Sequence, residues 1–473
     1  MEKYNKEVDI VLRKNEFVER SEISSIVRTV LDMCMINDPT ANRSKLEEIV
    51  HILIHSRLKS IYRYDPCITN EKVEYRSAAD LVSHRYDYPK DAYDEDCYIQ
   101  RKKRVYAIKK IPQHEQKSVG WLNQRKECLT ATAIAIVLNE DPYKHPAHLL
   151  LDKCDRGEPF IENENVHHGK KYEEVGNLFY SFRNNVKTGE YGLLQHKKYP
   201  FIGASPDGIC EKNTLETGCL TKLVGRLLEI KFPYRRKLVS EGRLNGDICP
   251  HYYFVQVQTQ LFVTELDECD FLQCKIEEYL DWEDYISDSY SGIPGLSKKT
   301  NLEKGCLIQL LPKKMINDDD GRQCLYHAKY IYPPKLHMSP TEIEKWICSE
   351  LMNYHNHELS GEYIFDRVIY WRLSEVSCHL IKADKKYFES IIGILKQFWD
   401  YILFYREYPK KLDNLIKYMT EIGFSKSSDI FTRVNKDYLS VYPDSKYKPL
   451  YQEDNVWRKE YNDKNARYRK KTN

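Results

Sequence analysis

The segment that most constrains the fold is residues 203–232, where an acidic turn precedes a strand with two charged side chains on one face. In "RLLEIKF", successive side chains of an extended strand point to opposite faces, so Glu229 and Lys231 share a face. The preceding stretch, "FIGASPDGIC", places Asp207 in a Pro-Asp-Gly turn. A hairpin formed by the two stretches would bring Asp207 close to Glu229 and Lys231.

These charged residues also have an ordinary structural explanation. Aspartate is common in turns because its carboxylate binds its own backbone, and surface strands often carry an acid and a lysine. Two carboxylates that lie close together repel each other, however, so both stay ionised at low free-energy cost only when a cation lies beside them. Magnesium is satisfied by one or two carboxylates, water and a substrate phosphate, and a nearby lysine can activate water or stabilise phosphate charge. We therefore expect a magnesium site, with a turn and a surface strand as the alternative.

Helical and strand patterns alternate from Ser118 to Tyr408, which predicts an α/β fold. The predicted helices include "WLNQRKECLTATAIAIVLN", "NENVHHGKKYEEVGNLFYSFRNN", "CPHYYFVQVQTQLFVTE" and "KKYFESIIGILKQFWDYILFYRE". The predicted strands include "CDFLQCKIEEY" and "RVIYWRLSEVSCHLIKAD". Ser339, Pro340 and Glu342 form a capping box that predicts one more helix.

The chain ends differ from this central region in composition. Apolar residues at three- and four-residue spacing predict an N-terminal helical unit at residues 1–64. Broken polar sequence and a basic run predict a linker or extension at 65–117. Residues 409–473 form a predicted C-terminal extension, whose basic tail from Trp457 we expect to be disordered.

Charge, cysteine content and hydropathy indicate where the protein is located and which partners it binds. The 73 basic and 71 acidic residues nearly cancel, so any nucleic-acid-binding surface must be local. The 14 cysteines contain no CxxC motif, which indicates reduced thiols in an intracellular protein. The charged start and the lack of long apolar runs predict a soluble protein with no membrane partner.

Several motifs together resemble one known family. "GKKYEE", "GASPDG", "LLEIKFP" and "HYYFVQVQTQLFVTELDECDF", in this order, resemble the lambda-type exonuclease or YqaJ-like viral recombinase family of the PD-(D/E)xK nuclease superfamily. The resemblance covers about residues 118–408 and extends to versions carried by large DNA viruses. It implies a restriction-endonuclease-like domain there, with a central mixed sheet flanked by helices.

The resemblance also implies an activity. Family members degrade one strand of duplex DNA from 5′ to 3′, using magnesium, for recombination or repair by strand annealing. A ring-shaped homotrimer, a single-strand annealing protein as partner and the host cytoplasm as location follow from the same resemblance. An endonuclease, or a DNA-binding protein that has lost its chemistry, is the alternative.

The resemblance assigns metal-site roles to individual residues. Asp207 and Glu229 would bind magnesium, with manganese as the alternative ion, and Lys231 would serve the nucleophilic water. Glu173, on a helix, would complete the metal site. Glu174 is the alternative to Glu173, and an exposed helical glutamate is the alternative to both.

Further roles concern the helix "YFVQVQTQ" and the DNA. Gln256 and Gln258 lie roughly 200° apart around a helix, and the family pattern favours Gln258 as the catalytic amide, with an amide that bonds the backbone as the alternative. Arg125, Thr132 and Ser205 resemble a pocket for the terminal 5′ phosphate, with an ordinary surface arginine as the alternative for Arg125. Thr132 stands where the family usually has serine.

Two features lie beside the predicted active strand. Arg235, Arg236 and Lys237 follow it, where they would contact phosphates of the DNA backbone, with a solvated turn as the alternative. The stretch "EKNTLETGCLTKLVGR", between Asp207 and Glu229, is longer than in phage enzymes and predicts an extended hairpin tip.

Overall fold

The structure is a computed structural model of the chain. It describes residues 23–60, 95–159, 161–184, 186–213, 223–240, 242–290, 294–316, 321–355, 359–453 and 456–462, together with residues 4, 7, 8, 10 and 11. Most of the predicted linker, the centre of the predicted hairpin tip and the last part of the tail lie outside these ranges. Within them, no helix has the length and apolar character that crossing a membrane requires.

A seven-stranded sheet lies at the centre, in the order β2-β5-β6-β7-β10-β8-β9, and a smaller sheet has the order β1-β4-β3. The strands are β1 (Leu129–Thr130), β2 (Val186–Gly189), β3 (Leu194–Gln195), β4 (Ile202–Ala204), β5 (Gly208–Asn213), β6 (Leu227–Lys231), β7 (Glu268–Glu278), β8 (Lys304–Pro312), β9 (Lys329–Ile331) and β10 (Tyr363–Lys382). β6 and β7 pair in parallel, whereas β5 and β6 pair antiparallel, so the large sheet is mixed.

Helices flank the sheets. They are α1 (Ile23–Asn37), α2 (Arg43–Ser60), α3 (Glu95–Lys109), α4 (Val119–Lys126), α5 (Ala131–Val137), α6 (Pro146–Lys153), α7 (Glu164–Asn184), α8 (His251–Thr264), α9 (Trp282–Ser287), α10 (Gly321–Tyr326), α11 (Pro340–His355), α12 (Leu359–Glu362), α13 (Lys385–Glu407), α14 (Pro409–Ile422) and α15 (Ser427–Leu439). The α/β class and the central mixed sheet are confirmed.

Strand β6 places its side chains as its sequence predicts. Leu227 packs into one apolar cluster, and Leu228, Ile230 and Phe232 pack into a second cluster on the opposite face of the sheet. The parallel pairing of β6 with β7 requires a crossover, which α8 supplies. The predicted capping box at the start of α11 also forms, because the Glu342 carboxylate accepts from the Ser339 N–H at 2.7 Å.

One helix prediction is wrong. The stretch "WLNQRKECLTATAIAIVLN" is not a single helix, because α4 ends at Lys126 and α5 begins at Ala131. Leu129 and Thr130, between them, pair in parallel with Ile202 and Gly203 of β4. Strand pairing in the small sheet therefore outweighs the helical pattern.

The chain ends pack more closely than their composition suggests. Helices α14 and α15 contribute Leu415, Ile430 and Phe431 to the cluster that also contains Leu227 of β6. The predicted disorder of the tail is wrong for residues 457–462, which belong to a helix over residues 456–462 that packs on the preceding structure. We refer to residues 456–462 as the C-terminal helix; the bounds of the four segments given above stay predictions.

Candidate active site

Asp207 and Glu229 meet where β5 begins beside β6. Gly208 of β5 is paired with Leu228 of β6, which brings the preceding Asp207 next to the Glu229 strand. The Asp207 Oδ2 atom accepts a hydrogen bond of 2.7 Å from the Ile230 N–H. The predicted hairpin contact is therefore present, and Asp207 is tied to the active strand itself.

The Glu229 carboxylate is fully buried and held by three side-chain donors. Lys231 forms an ion pair with Oε1. Gln256 donates to Oε1 and Gln260 donates to Oε2, each at 2.6 Å. Both amides come from α8, where residues four positions apart lie on the same face. Helix α8 thus fixes the orientation of the central acid.

Gln258 lies away from this carboxylate. Its Nε2 donates to the Lys382 carbonyl at 2.8 Å, and its Oε1 accepts from the Asp384 N–H at 2.7 Å. It therefore links α8 to the end of β10 and the start of α13. The placement of Gln258 in the site is wrong, and Gln256 and Gln260 take that position. Their four-residue spacing was the signal in the sequence.

Glu173 of α7 faces the acids, and Glu174 does not. Burial raises the pKa of Glu173; Lys231 acts to lower it and Glu229 to raise it further, so these groups interact electrostatically. Glu174 is exposed, and the charged groups that act on it are Glu190 and Glu173 rather than Asp207, Glu229 or Lys231. The structure brings together the four predicted residues Glu173, Asp207, Glu229 and Lys231.

A glycine allows α7 to approach the active strand. A Cβ atom at Gly176 would lie 2.6 Å from Ile230 Cγ2 and 2.9 Å from Phe232 Cε2, closer than real side chains pack. Gly169, two turns earlier, has open space around its own Cβ position. Only Gly176 therefore matters for the distance between helix and strand, and so for where Glu173 lies.

The clustered charges shift one another's pKa. Burial and the Glu229 carboxylate raise the pKa of Asp207 well above its ordinary value. Burial acts to lower the pKa of Lys231, but Glu229 and Asp207 outweigh it and raise that pKa. Lys231 Nζ also lies 4.7 Å from the ring centroid of Tyr253. Lys231 is thus an ammonium group at neutral pH.

Glu173 and Lys231 open onto a cleft of about 730 Å³. Its lining residues are Tyr143, Asn163, Asn165, Val166, Gly169, Lys170, Glu173, Ile230, Lys231, Phe232, Pro233, Tyr234, Arg235, Arg236, Tyr252 and Tyr253. Aromatic and basic side chains thus surround one entrance to Glu173 and Lys231. Such a wall suits a strand of nucleic acid, because bases stack on aromatic rings and phosphates bind cations.

The predicted backbone-binding residues are only partly in the cleft. Arg235 and Arg236 line it, and Lys237 is exposed but does not. Arg235 pairs with Glu164 at 2.7 Å, and Arg236 donates to Gln273 at 2.7 Å. Both guanidinium groups are therefore oriented by side chains of the protein.

The predicted 5′-phosphate residues are linked through a tryptophan that sequence reasoning missed. The Trp121 indole donates to Ser205 Oγ at 3.3 Å, and Arg125 lies 4.4 Å from the Trp121 ring centroid. Thr132 is exposed at the start of α5, and its hydroxyl lies 3.2 Å from that of Thr130. Helix α4 thus joins Arg125 to Ser205, while Thr132 belongs to a neighbouring element.

The carboxylate oxygens of Asp207 and Glu229 are ligands that suit a hard cation such as magnesium. Glu229 Oε1 has two donors and Oε2 one, so Oε2 keeps a lone pair for another partner. In the part of the chain that the structure describes, however, no three acidic, histidine or cysteine side chains form a ready-made metal centre. Asp207 and Glu229 therefore fit the ion in chemistry, with the protein's own donors occupying most of the Glu229 carboxylate.

A mixed sheet flanked by helices, with an acidic turn and Glu-x-Lys on the next strand, defines a PD-(D/E)xK-type α/β core. A family model described as the YqaJ-like viral recombinase domain matches residues 120–267. The chain is 63% identical over 392 residues to the uncharacterized protein R354 of Acanthamoeba polyphaga mimivirus, a match covering 83% of this chain and 71% of the relative. The chain belongs to the YqaJ-like viral recombinase family.

Two solved structures are also similar to the chain. Both are of an alkaline exonuclease (LHK-Exo) from Laribacter hongkongensis, one of them in complex with dAMP. They align at 15% and 16% sequence identity with a TM-score of 0.32, covering 63% of this chain and 100% of the other.

Proposed function

We propose that the chain is a magnesium-dependent exonuclease that degrades one strand of duplex DNA from 5′ to 3′, in recombination or repair by strand annealing. The observation that carries this proposal is the convergence of Asp207, Glu229 and Lys231, with Lys231 lining a basic and aromatic cleft. Family membership supports the same reading.

Asp207, Glu229 and Glu173 would hold the magnesium ion, with manganese as the alternative. When bound, the ion polarises the scissile phosphate and lowers the pKa of a coordinated water. Gln256 and Gln260 orient Glu229 by donating to its two oxygens. The buried acids repel one another, so a cation between them would stabilise their ionised forms.

Lys231 acts on the phosphate as a charged donor. Its pKa is raised by Glu229 and Asp207 against the effect of burial, so it does not readily give up a proton as a base would. An ammonium group beside the scissile phosphate stabilises the negative charge that develops there. Arg235 and Arg236 would hold the backbone farther along the cleft, and the exposed Lys237 would contact phosphates outside it.

The test compares linear with closed circular plasmid in the presence of magnesium, for the wild-type chain and two variants. We expect the linear duplex to be degraded and the circle to survive. Glu229→Gln should bind DNA without cleaving it, and Lys231→Ala should be about 10²-fold slower or worse. Cleavage of the circle would indicate an endonuclease, and DNA binding without any cleavage would indicate a protein that has lost its chemistry.

Direction of digestion has its own test, because the metal site alone does not select a strand. If Arg125, Thr132 and Ser205 hold a terminal phosphate, a 5′-phosphorylated end should be degraded about tenfold faster than a 5′-hydroxyl end. Arg125→Ala should remove this preference and keep the basal rate on 5′-hydroxyl ends. A preference that survives the substitution would contradict the pocket. The annealing partner and the homotrimer stay predictions, the latter testable by light scattering.

A further inference from the structure

A second cavity, of about 550 Å³, lies at the start of α15. We call it the α15 cavity; it is lined by Asn139, Ser425, Lys426, Ser427, Ser428, Asp429, Tyr451, Glu453, Arg458, Lys459 and Asn462. None of these residues belongs to the cleft described above. The α15 cavity is therefore a separate site built by α15 and the C-terminal helix.

Residues that line this cavity carry hydrogen-bond donors for which the described residues provide no acceptor. Ser427 is only 5% exposed, yet its buried Oγ atom has no hydrogen-bond partner in the described ranges. The N–H groups of Ser428 and Asp429, in the first turn of α15, likewise donate to no described residue. A buried hydroxyl without a partner costs free energy, so these donors point to a ligand with acceptor oxygens.

The charges around these donors favour an anion. Lys426, Arg458 and Lys459 line the cavity against Asp429 and Glu453, which leaves an excess of positive charge. The amino end of a helix adds partial positive charge, and α15 has 13 residues. Arg458 is held in place by Asn139 Oδ1 at 2.7 Å and by His145 Nε2 at 3.0 Å.

We propose that the α15 cavity binds a phosphate group. Phosphate offers several acceptor oxygens and negative charge, which match the Ser427 hydroxyl, the free N–H groups and the lysines. A sugar-phosphate backbone and a small phosphate anion both present this chemistry. The inference goes beyond the proposed nuclease activity and does not require it.

The position of the cavity connects it to the cleft. Asn139 contacts Arg458 at the cavity, and Tyr143, four residues later, lines the cleft. Tyr143 also shares a hydrogen bond of 2.8 Å with Tyr461 of the C-terminal helix, and the next residue, Asn462, lines the cavity. Four residues span at most about 14 Å, or roughly four nucleotides of a DNA strand. A short segment, of a length that about four nucleotides would span, thus joins the α15 cavity to the cleft.

The test uses the full-length chain in chelator, so that no cleavage occurs. The first arm measures the melting temperature and calorimetric binding with inorganic phosphate against chloride at equal ionic strength. The variants are Ser427→Ala, which removes the orphan hydroxyl, and Lys459→Gln, an exposed position that does not threaten folding. Lys436→Gln, exposed at the other end of α15, is the matched control.

We expect phosphate to stabilise the wild-type and Lys436→Gln chains, and both cavity variants to bind it at least about fivefold more weakly. Without phosphate, Ser427→Ala should melt no lower than wild type, because its hydroxyl makes no hydrogen bond. Phosphate binding that is absent in the wild type, or unchanged in both cavity variants, would overturn the inference.

The second arm measures the affinity for a duplex by fluorescence anisotropy in the same chelating buffer. A selective loss in the two cavity variants identifies the DNA backbone as the source of the phosphate. Unchanged duplex affinity together with weakened phosphate binding identifies a small phosphate anion instead. A chain that binds phosphate here but degrades no DNA would refute the proposed function and leave this inference standing.

Discussion

At the residue scale, the site depends on contacts that hold the three carboxylates of Glu173, Asp207 and Glu229 close together. Asp207 is tied to the Ile230 N–H, and Glu229 is surrounded by one ammonium and two amide donors. These contacts orient the acids, but burial and then the Glu229 carboxylate still raise the pKa of Asp207. The arrangement therefore costs stability without a cation, and two predictions follow from its contacts.

Asp207→Asn should stabilise the metal-free protein at neutral pH. Burial and Glu229 raise the folded pKa of Asp207 above its ordinary 3.8, so the stability that this group contributes is present at low pH and falls as pH rises through the folded pKa. The amide can still accept from Ile230 and carries no charge. We expect a melting temperature higher by on the order of a few degrees at pH 7 in chelator.

The same comparison near pH 4 supplies the control for Asp207→Asn. There the wild-type carboxyl is already protonated in the folded state, so the two proteins should melt at similar temperatures. A variant that melts lower than wild type at pH 7 would contradict the repulsion among the acids.

Gln256→Ala and Gln258→Ala should have different effects, although the residues are two positions apart. Gln256 donates to Glu229, so its loss should lower magnesium affinity or kcat by about 10- to 100-fold. Gln258 joins Lys382 to Asp384, so its loss should cost about 1–3 kcal/mol of stability and leave kcat nearly unchanged. Magnesium titration of the rate and thermal melting separate the two outcomes. A loss of kcat in Gln258→Ala but not in Gln256→Ala would indicate that Gln258 acts in the site after all.

At the element scale, the position of α7 over β6 decides whether Glu173 reaches the other acids. The contact is made at Gly176, where no Cβ fits against Ile230 and Phe232. Helices tolerate glycine at a cost of roughly 0.5–1 kcal/mol, so a glycine here is explained by close packing. Gly176 thus lowers the intrinsic stability of α7 but lets the helix lie close to β6.

Gly176→Ala should lower both stability and activity, because the added methyl group forces α7 away from β6. Overpacking of this kind costs about 1–3 kcal/mol. Gly169→Ala, in the same helix with open space at its Cβ position, is the matched control and should be neutral or stabilising. Chemical denaturation and the rate at saturating magnesium check both variants; equal stability for the two would contradict the packing argument.

At the scale of the whole molecule, the C-terminal helix joins sequence-distant parts around the cleft. Trp457 stacks on His251 at a centroid distance of 3.9 Å, and His251 lies at the start of α8. Tyr461 contacts Tyr143 at the cleft wall. The tail is therefore both a charged segment and a packing element, and two truncations separate these roles.

A truncation after Asn462 should weaken DNA affinity mainly at low salt, because it removes basic residues that act through counterion release. A truncation before Trp457 should also lower affinity at high salt and reduce thermal stability, since it removes the packed helix. Affinity measured across a salt series checks both, with cleavage of bound substrate as the control for the first. Identical salt dependence for wild type and both truncations would contradict the electrostatic role.

The sequence by itself determined the α/β class, the alternation of β6 and the acids that meet beside it, because these follow from short-range periodicity and one hairpin. Strand alternation placed Glu229 and Lys231 on one face, and the hairpin brought Asp207 beside them. Tertiary structure decided that Gln256 and Gln260, not Gln258, face Glu229. Their four-residue spacing puts them on one face of α8, but a buried helix carries polar side chains on several sides, so the spacing did not show which face meets Glu229. Tertiary structure also split the helix predicted from Trp121 onward at Leu129. There, pairing with Ile202, 73 positions later in the chain, outweighs the local preference for helix. The folding of residues 456–462 depended likewise on a distant surface, the ring of His251, which composition does not reveal.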